Sequence, residues 1–293
     1  MFLIRMAGHS WIAHPVQGGG AGSGPRLGAM SKQQTTLVSA QAAFRLAPNP
    51  GPMSLEGTNS WILRAPDSEH AILVDPGPDD AGHLGALAAE SVALILITHR
   101  HHDHTEGIDT LHRLTGAPVR AALPEHCREA GVLVDGEEIH AAGLRLRVLA
   151  TPGHTSDSLC FLLPDDGATG SMLTGDTILG RGTTILDAPD GTLGDYLSSL
   201  DRLEACPDAL VLPAHGPVLG SLHGIVREYR LHRLERLAQI RAALAQIRAD
   251  STLEPTIAQV TDVVYADVDP RVRRAAEISV AAQLHYLMES EAS

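Results

Sequence analysis

The chain has 293 residues, 44% of them hydrophobic and 19% charged, an ordinary globular composition with room for one large domain or one domain and an appendix. A formal net charge of −13 argues against a broad, sequence-indifferent grip on nucleic acid, and no apolar run reaches the roughly 18 residues that cross a bilayer. Cys127, Cys160 and Cys206 are widely spaced and outside any metal-ligand pattern, so buried free thiols in a reducing, cytoplasmic setting are expected.

In chain order, residues 1–35 read as a disordered arm: Gly18-Gly19-Gly20 and Gly24-Pro25 mark low complexity, His9, Ser10 and His14 interrupt a signal-like start, and Met30 is an alternative initiator. A folded domain is then predicted over 36–222. Phe44-Arg45-Leu46 reads as a strand ending at the turn-rich Pro48–Pro52, and Ser60–Leu63 and Ala71–Val74 follow as two more, the last closed by Asp75-Pro76-Gly77. Gly82–Glu90 is a short helix, Val92–Ile97 a strand buried on both faces, Gly107–Leu114 a helix, Val119–Ala122 a strand, Glu125–Ala130 a helix, and Leu144–Val148 a half-exposed strand. Short strands alternating with short helices predict an α/β sandwich. From 223 to 293 the pattern becomes helical. The first helix runs from about Gly224 to Ile247, with Leu231, Leu234, Ala238, Leu244 and Ile247 as its candidate core face, and two more cover Ile257–Val264 and Pro270–Met288.

The chemistry gathers at strand ends. His99-Arg100-His101-His102-Asp103-His104 follows the strand 92–97, and four imidazoles with a carboxylate in six positions suit a borderline metal such as zinc. A strand-like start sends His99 and His101 to one side, and the turn brings Asp103 and His104 to a neighbouring point, which predicts two metals side by side. His102 is out of phase and reads as exposed or as a backing residue behind the ligands. Three later turns, Pro152-Gly153-His154, Gly175-Asp176-Thr177 and Ala214-His215-Gly216, each follow a predicted strand and add His154, Asp176 and His215. The other histidines, among them His83 and His126, read as surface or packing residues.

The ordered set His99, His101, Asp103, His104, His154, Asp176, His215 resembles the metallo-β-lactamase fold hydrolases. The resemblance implies a four-layer αββα sandwich with a dinuclear zinc site at one edge, His99, His101 and His154 holding the first ion, Asp103, His104 and His215 the second, and Asp176 bridging. Asn49-Pro50-Gly51, Leu55–Asn59, Gly175–Thr184 and His232-Arg233 are similar to the group of β-lactamase-like protein 2. In that group a small C-terminal helical, winged-helix-like module follows the hydrolase domain, and the associated activity is endoribonucleolytic on single-stranded RNA. This sequence departs from the group after Tyr286-Leu287, with no glycine-turned wing before Ser293.

The expected activity is that of a metal-dependent hydrolase with two Zn2+ per chain, using a metal-bridging hydroxide that Asp103 also orients. Endoribonuclease-like phosphodiester hydrolysis is one reading of the substrate. A small-molecule ester, thioester or lactone, cleaved in the manner of glyoxalase II, is the other, and it fits the tail better: from Tyr229 to Ser293 eight arginines face nine acids, with few aromatics to stack bases. β-Lactamase and di-iron reductase chemistry rank lower. Thr183, Thr184, His232 and Arg233 are candidate substrate contacts. No membrane association is expected, and the sequence leaves homo-oligomerisation open.

Overall fold

The structure is a computed structural model and describes residues 34–250, 253–267 and 273–292. The arm read over 1–35 lies, apart from its last two residues, outside the described residues. Among the described residues eleven strands form two sheets. The first comprises β1 (Thr36–Leu37), β2 (Ala42–Leu46), β3 (Asn59–Leu63), β4 (Ala71–Val74), β5 (Val92–Leu96) and β6 (Val119–Arg120), neighbours in that order. The second is ordered β11-β10-β9-β8-β7, from β7 (Glu138–Ala141), β8 (Leu144–Ala150), β9 (Leu159–Leu163), β10 (Ser171–Gly175) and β11 (Leu210–Pro213). Pairing is antiparallel except at β4–β5, β5–β6 and β10–β11, where helical connections make parallel neighbours possible.

Side-chain alternation sorts the strands into layers. Ile72 and Val74 of β4 face inward and meet Phe161 and Leu163 of β9 between the two sheets, together with Trp61, Leu96, Val148 and Leu212. Leu73, between them in sequence, points the other way and packs with Leu84 of α1 (Ala81–Leu87) and Leu111 of α3 (Ile108–Thr115), the four-residue α2 (His102–Thr105) lying between these helices in sequence. Leu162 of β9 and Met172 of β10 likewise face outward, onto Tyr196 and Leu200 of α4 (Leu193–Glu204). The result is the αββα sandwich. Both faces of each central strand are apolar because both are covered, and at about 1.5–3 kcal/mol per fully buried Leu, Val or Phe this is where stability resides.

The C-terminal segment adds α5 (Leu222–Asp250), α6 (Ile257–Val264) and α7 (Arg273–Ala292), with no strand among the described residues. Its apolar residues join the outer core: Val226, Tyr229, Leu237, Ile240 and Val280 pack in the same cluster as Met172 and Tyr196.

Two expectations are corrected. Glu125–Ala130 is not a helix: only a 3-10 turn, Pro124–His126, forms there. The expected core face of α5 holds only at its far end, where Leu244 and Ile247 pack against the outer core; Leu231 and Leu234 are 57% and 49% exposed and Ala238 is exposed, while Tyr229, Arg233, Leu237, Ile240 and Ala243 face inward. Strands β7 and β9 and helix α4 were not anticipated; β9, wholly buried, carries no polar alternation to mark it.

Candidate metal centre

Every predicted ligand sits where a strand of one sheet or the other runs out. His99 follows β5, His101 caps the N-terminus of α2, and Asp103 and His104 ride on that helix. His154 follows β8, Asp176 β10 and His215 β11. Two glycines make this convergence possible. Gly153 has φ +136°, and a Cβ there would lie 2.4 Å from the Cα of Tyr196; Gly175 has φ +50°, and its Cβ would lie 2.8 Å from that of Thr98. Neither position has room for a side chain, so each turn can press against its neighbour.

The side chains form three overlapping groups, His99/His101/His154, His99/His104/Asp176 and Asp103/His104/His215, with the donor atoms of each group within 4.8 Å of one another. In the first, His101 Nδ1 lies 3.0 Å from both His99 Nε2 and His154 Nε2. In the last, His215 Nε2 is 3.2 Å and His104 Nε2 3.7 Å from Asp103 Oδ2. Asp176 stands between: Oδ1 is 3.4 Å from His215 Nε2 and 3.6 Å from His104 Nε2, and Oδ2 is 3.7 Å from His154 Nε2.

The far nitrogen of each ring is held by the protein. His104 Nδ1–H donates to Asp75 Oδ2 at 2.8 Å, His215 Nδ1–H to the Gly57 carbonyl at 3.1 Å, and His154 Nδ1–H to the Ile185 carbonyl at 2.5 Å. Thr98 Oγ1 donates to Asp75 Oδ2 at 2.7 Å and so accepts from His99 Nδ1–H at 3.0 Å. His101 Nε2 faces Asp187 Oδ2 at 3.3 Å. These contacts hold one nitrogen of each ring and turn the other to the centre, as outer partners of metal-ligating histidines do.

The electrostatics differ between the two ends. Burial, then repulsion from the neighbouring imidazoles, holds His99 well below the usual histidine pKa, and burial lowers His154 too. Burial acts the same way on His104 and His215, but Asp75 and Asp176 outweigh it at His104, raising it to about 10, and Asp176 and Asp103 raise His215. Burial would raise Asp103, yet the His215 ring 3.2 Å away and the charge of His104 hold it well below the carboxylate range. Carboxylates thus draw positive charge to one end, and neutral imidazoles line the other.

A metal fits these residues. The Nε2 atoms of His104 and His215 and Oδ1 of Asp176 are buried with no hydrogen-bond partner, which costs about 1–3 kcal/mol per group unless something else satisfies them. Three mutually close imidazole nitrogens and a mixed His/Asp set are donors that a borderline divalent ion takes.

Surrounding loops brace the cluster. Thr58 Oγ1 donates to the carbonyl of Asp103 at 3.0 Å, and Asn59 Nδ2 to the carbonyls of Pro213 and Gly216, both at 3.0 Å, tying the loops of Asp103 and His215 together. Arg100 pairs with Asp187 at 2.6 Å and Asp190 at 2.5 Å, and Arg181 with Glu56 at 2.5 Å. His102 is exposed. Of the four candidate substrate contacts, only Thr184 reaches the cluster, its Oγ1 3.1 Å from His154 Nδ1. Thr183 and His232 are half-buried, with no contact to the cluster. Arg233 is buried, its guanidinium on the Thr184 carbonyl at 2.6 Å and 4.9 Å from the ring centre of Tyr196, rather than open to a substrate anion.

Asp75, Asp187 and Ile185 were not singled out from the sequence. Asp75 had a signal: a charged residue completing a buried strand before Pro-Gly, and the structure holds it at φ 55°.

The chain is thus a four-layer αββα sandwich with a His/Asp centre at its edge, and it spans 65% of the length of the first relatives that it matches. The chain belongs to the metallo-β-lactamase superfamily, whose family description matches residues 53–215. It is 34% identical over 218 residues to the lactamase-like protein adaB of Aspergillus niger, covering 71% of this chain and 65% of that protein. It is 34% identical over 245 residues to the β-lactamase-like protein 2 homolog of Caenorhabditis elegans, covering 79% and 78%. A protein of Aspergillus chevalieri named atrochrysone carboxyl ACP thioesterase is 32% identical over 241 residues, covering 77% and 75%. Among solved structures, a β-lactamase domain protein from Burkholderia ambifaria shares the fold with a TM-score of 0.72 at 21% identity, covering 90% of this chain and 91% of that one. Among the described residues no helix is long and apolar enough to cross a membrane.

Proposed function

We propose that the chain is a dinuclear zinc hydrolase of acyl thioesters. His99, His101 and His154 would hold one ion and Asp103, His104 and His215 the other, with Asp176 offering one oxygen to each group, as its two distances to His154 and His215 support. When bound, such a pair supplies an acidified water and a Lewis acid for the carbonyl oxygen. Asp103, whose side chain is 32% exposed against 11% for Asp176, is the carboxylate placed to accept a hydrogen bond from the attacking water and orient it. The buried donors His104 and His215, fixed through Asp75 and Gly57, give the centre a geometry that needs no rearrangement on substrate arrival. No Ser or Cys nucleophile takes part.

The observation that carries the thioester reading over RNA is the state of the cations beside the centre. Arg100 and Arg181, which flank His101 and the His215 loop, are each neutralised by carboxylates, Arg100 by two. A polyanionic strand would have to displace Asp187, Asp190 and Glu56, whereas a thioester carbonyl needs no cation of its own. The similarity to a protein named as an ACP thioesterase points the same way.

The test is a substrate panel on zinc-loaded full-length protein: acyl thioesters on coenzyme A and on a carrier protein, a lactone, a β-lactam and a single-stranded RNA oligonucleotide, with zinc content measured on the same sample. Turnover of a thioester well above the rest, with two zinc ions per chain, is expected. RNA cleavage with inert thioesters overturns the substrate assignment, and one ion or none overturns the dinuclear one.

A further inference from the structure

The loop from Asp176 to Asp187 joins a candidate ligand to the backing of two others, and it is gripped by the C-terminal helix at two points. Near its start, Tyr229 Oη of α5 accepts from the Leu179 backbone N–H at 3.0 Å and donates to the Leu179 carbonyl at 3.2 Å. One turn later on the same buried stripe, Arg233 Nη2 donates to the Thr184 carbonyl at 2.6 Å. The Arg233 side chain is 3% exposed and stacks 4.9 Å from the ring centre of Tyr196, whose hydroxyl donates to the Thr177 carbonyl at 2.8 Å. Arg233 is thus held against Tyr196 as it reaches the loop, and a planar guanidinium fixed by stacking makes a directed donor.

Thr184 and Ile185 are the backing of His154. The His154 Nδ1–H is shared between the Ile185 carbonyl at 2.5 Å and Thr184 Oγ1 at 3.1 Å. The His154 carbonyl in turn accepts from the Asp187 N–H at 2.8 Å, and the Asp187 carboxylate faces His101. If this loop shifts, His154 loses the acceptor that keeps its proton on Nδ1 and its Nε2 lone pair on the centre.

We propose that Arg233 is a positioning residue for His154: from the C-terminal helix it pins the Thr184 carbonyl, and through Thr184 and Ile185 it sets the tautomer and direction of the His154 ring. The helical segment is thereby part of the metal centre's construction although it supplies no ligand. This rests on the metal reading above. Outer partners of ligating histidines are worth about 10–100-fold in metal affinity, which sets the scale of the effect.

The matched control lies on the next turn. Arg236 stacks 4.4 Å from the ring centre of Tyr265 and donates to the Val264 carbonyl at 3.4 Å, the same pair of contacts, but made within the helical tail. Zinc affinity of full-length wild type, Arg233→Met, Arg233→Lys, Thr184→Val and Arg236→Met is measured by competition with a chromophoric chelator, alongside thermal unfolding of the metal-free proteins. In Arg233→Met one zinc-binding step should weaken by about 10–100-fold, with kcat falling and KM nearly unchanged. Arg233→Lys, which keeps a donor for the carbonyl, should recover part of this, Thr184→Val should weaken the same step, and Arg236→Met should bind zinc as wild type does. A folded Arg233→Met protein with wild-type affinity in every zinc step overturns the proposal. If Arg233→Met does not fold, wild-type affinity in both Arg233→Lys and Thr184→Val overturns it, and weakening of one step in both sustains it. Wild-type protein that takes up no zinc sinks the metal reading instead, a result the variants do not share.

Discussion

Asp75 is the residue on which the first cluster turns. It is 1% exposed, sits at φ 55°, and accepts three hydrogen bonds, from Thr98 N–H at 2.8 Å, Thr98 Oγ1–H at 2.7 Å and His104 Nδ1–H at 2.8 Å. Asp tolerates the left-handed region better than most side chains, and strain held at a buried carboxylate beside a metal centre fits a functional role. Asp75→Asn keeps the shape but must aim an NH2 at one of three donors, so one contact becomes donor against donor. The expected cost is about 1–3 kcal/mol in the metal-free protein, with zinc affinity down by about 10–100-fold; urea unfolding and zinc titration check both, and a variant equal to wild type in each would remove Asp75 from this role. His83 offers a pH test away from the ligands. Fully buried and facing Ser60 Oγ at 2.9 Å, it is lowered to about 4, first by burial and then by Arg45. Its folded value lies below the unfolded one, so the unfolded chain binds the extra proton between pH 6.5 and 4; the stabilisation is complete above about 6.5 and is lost as pH falls towards 4, by up to about 3 kcal/mol. His83→Gln should flatten that part of the stability profile in urea unfolding run across this range, and an unchanged slope would place the acid sensitivity elsewhere. At this scale the gathering of these seven side chains was legible, because each His or Asp follows a predicted strand. Their backing was not, because carbonyls such as those of Gly57 and Ile185 have no signature in sequence.

At the scale of elements, what the sequence revealed depended on contrast. β8 shows its half-exposed alternation, with Arg145 and Arg147 out and Leu144, Leu146 and Val148 in, and was found; β9 is buried at all five positions and was not. The first turns of α5 misled for a different reason, while Leu244 and Ile247 near its end pack inward as expected. Leucines were taken to mark the inner face, but the buried stripe includes Tyr229 and Arg233, polar residues whose partners, Leu179 and Thr184, lie about 50 positions away at separations of 50 and 49. Leu231 and Leu234 fall on the opposite side. The two faces predict unequal costs. Leu237→Ala, at 2% exposure, should lose about 2–5 kcal/mol, the range for emptying a buried leucine site. Leu234→Ala, at 49% exposure, should stay within about 0.5 kcal/mol, as surface changes do. Equal losses in denaturant unfolding would mean that the outer face of α5 is covered in solution.

For the whole molecule, a hydrolase domain over 36–222 with a helical module after it was read from the change in hydrophobic pattern and the family resemblance, and the packing bears on how separable the two are. The outer face of the second sheet presents Cys160, Leu162, Met172 and Val211, and α4 alone does not close over them; Val226, Tyr229, Leu237, Ile240 and Ala243 of α5, with Val280 of α7, belong to the same buried cluster. An α5 that only decorated a finished domain would bury polar surface against it and leave a second core inside the tail. Here the tail's apolar stripe packs with α4 in the outer layer of the sandwich, and the same stripe carries Tyr229 and Arg233 to the loop behind His154. Ending the chain after Ser221 therefore removes cover from one of the three apolar clusters and both clamps at once. Residues 34–221 expressed alone are expected to aggregate or to unfold without a cooperative transition, since an exposed patch this large is not tolerated by a monomer. Size-exclusion chromatography and thermal unfolding by circular dichroism decide it. A soluble, cooperatively melting fragment would show that α5, α6 and α7 are an independent module, and would move the source of the second sheet's stability back to α4.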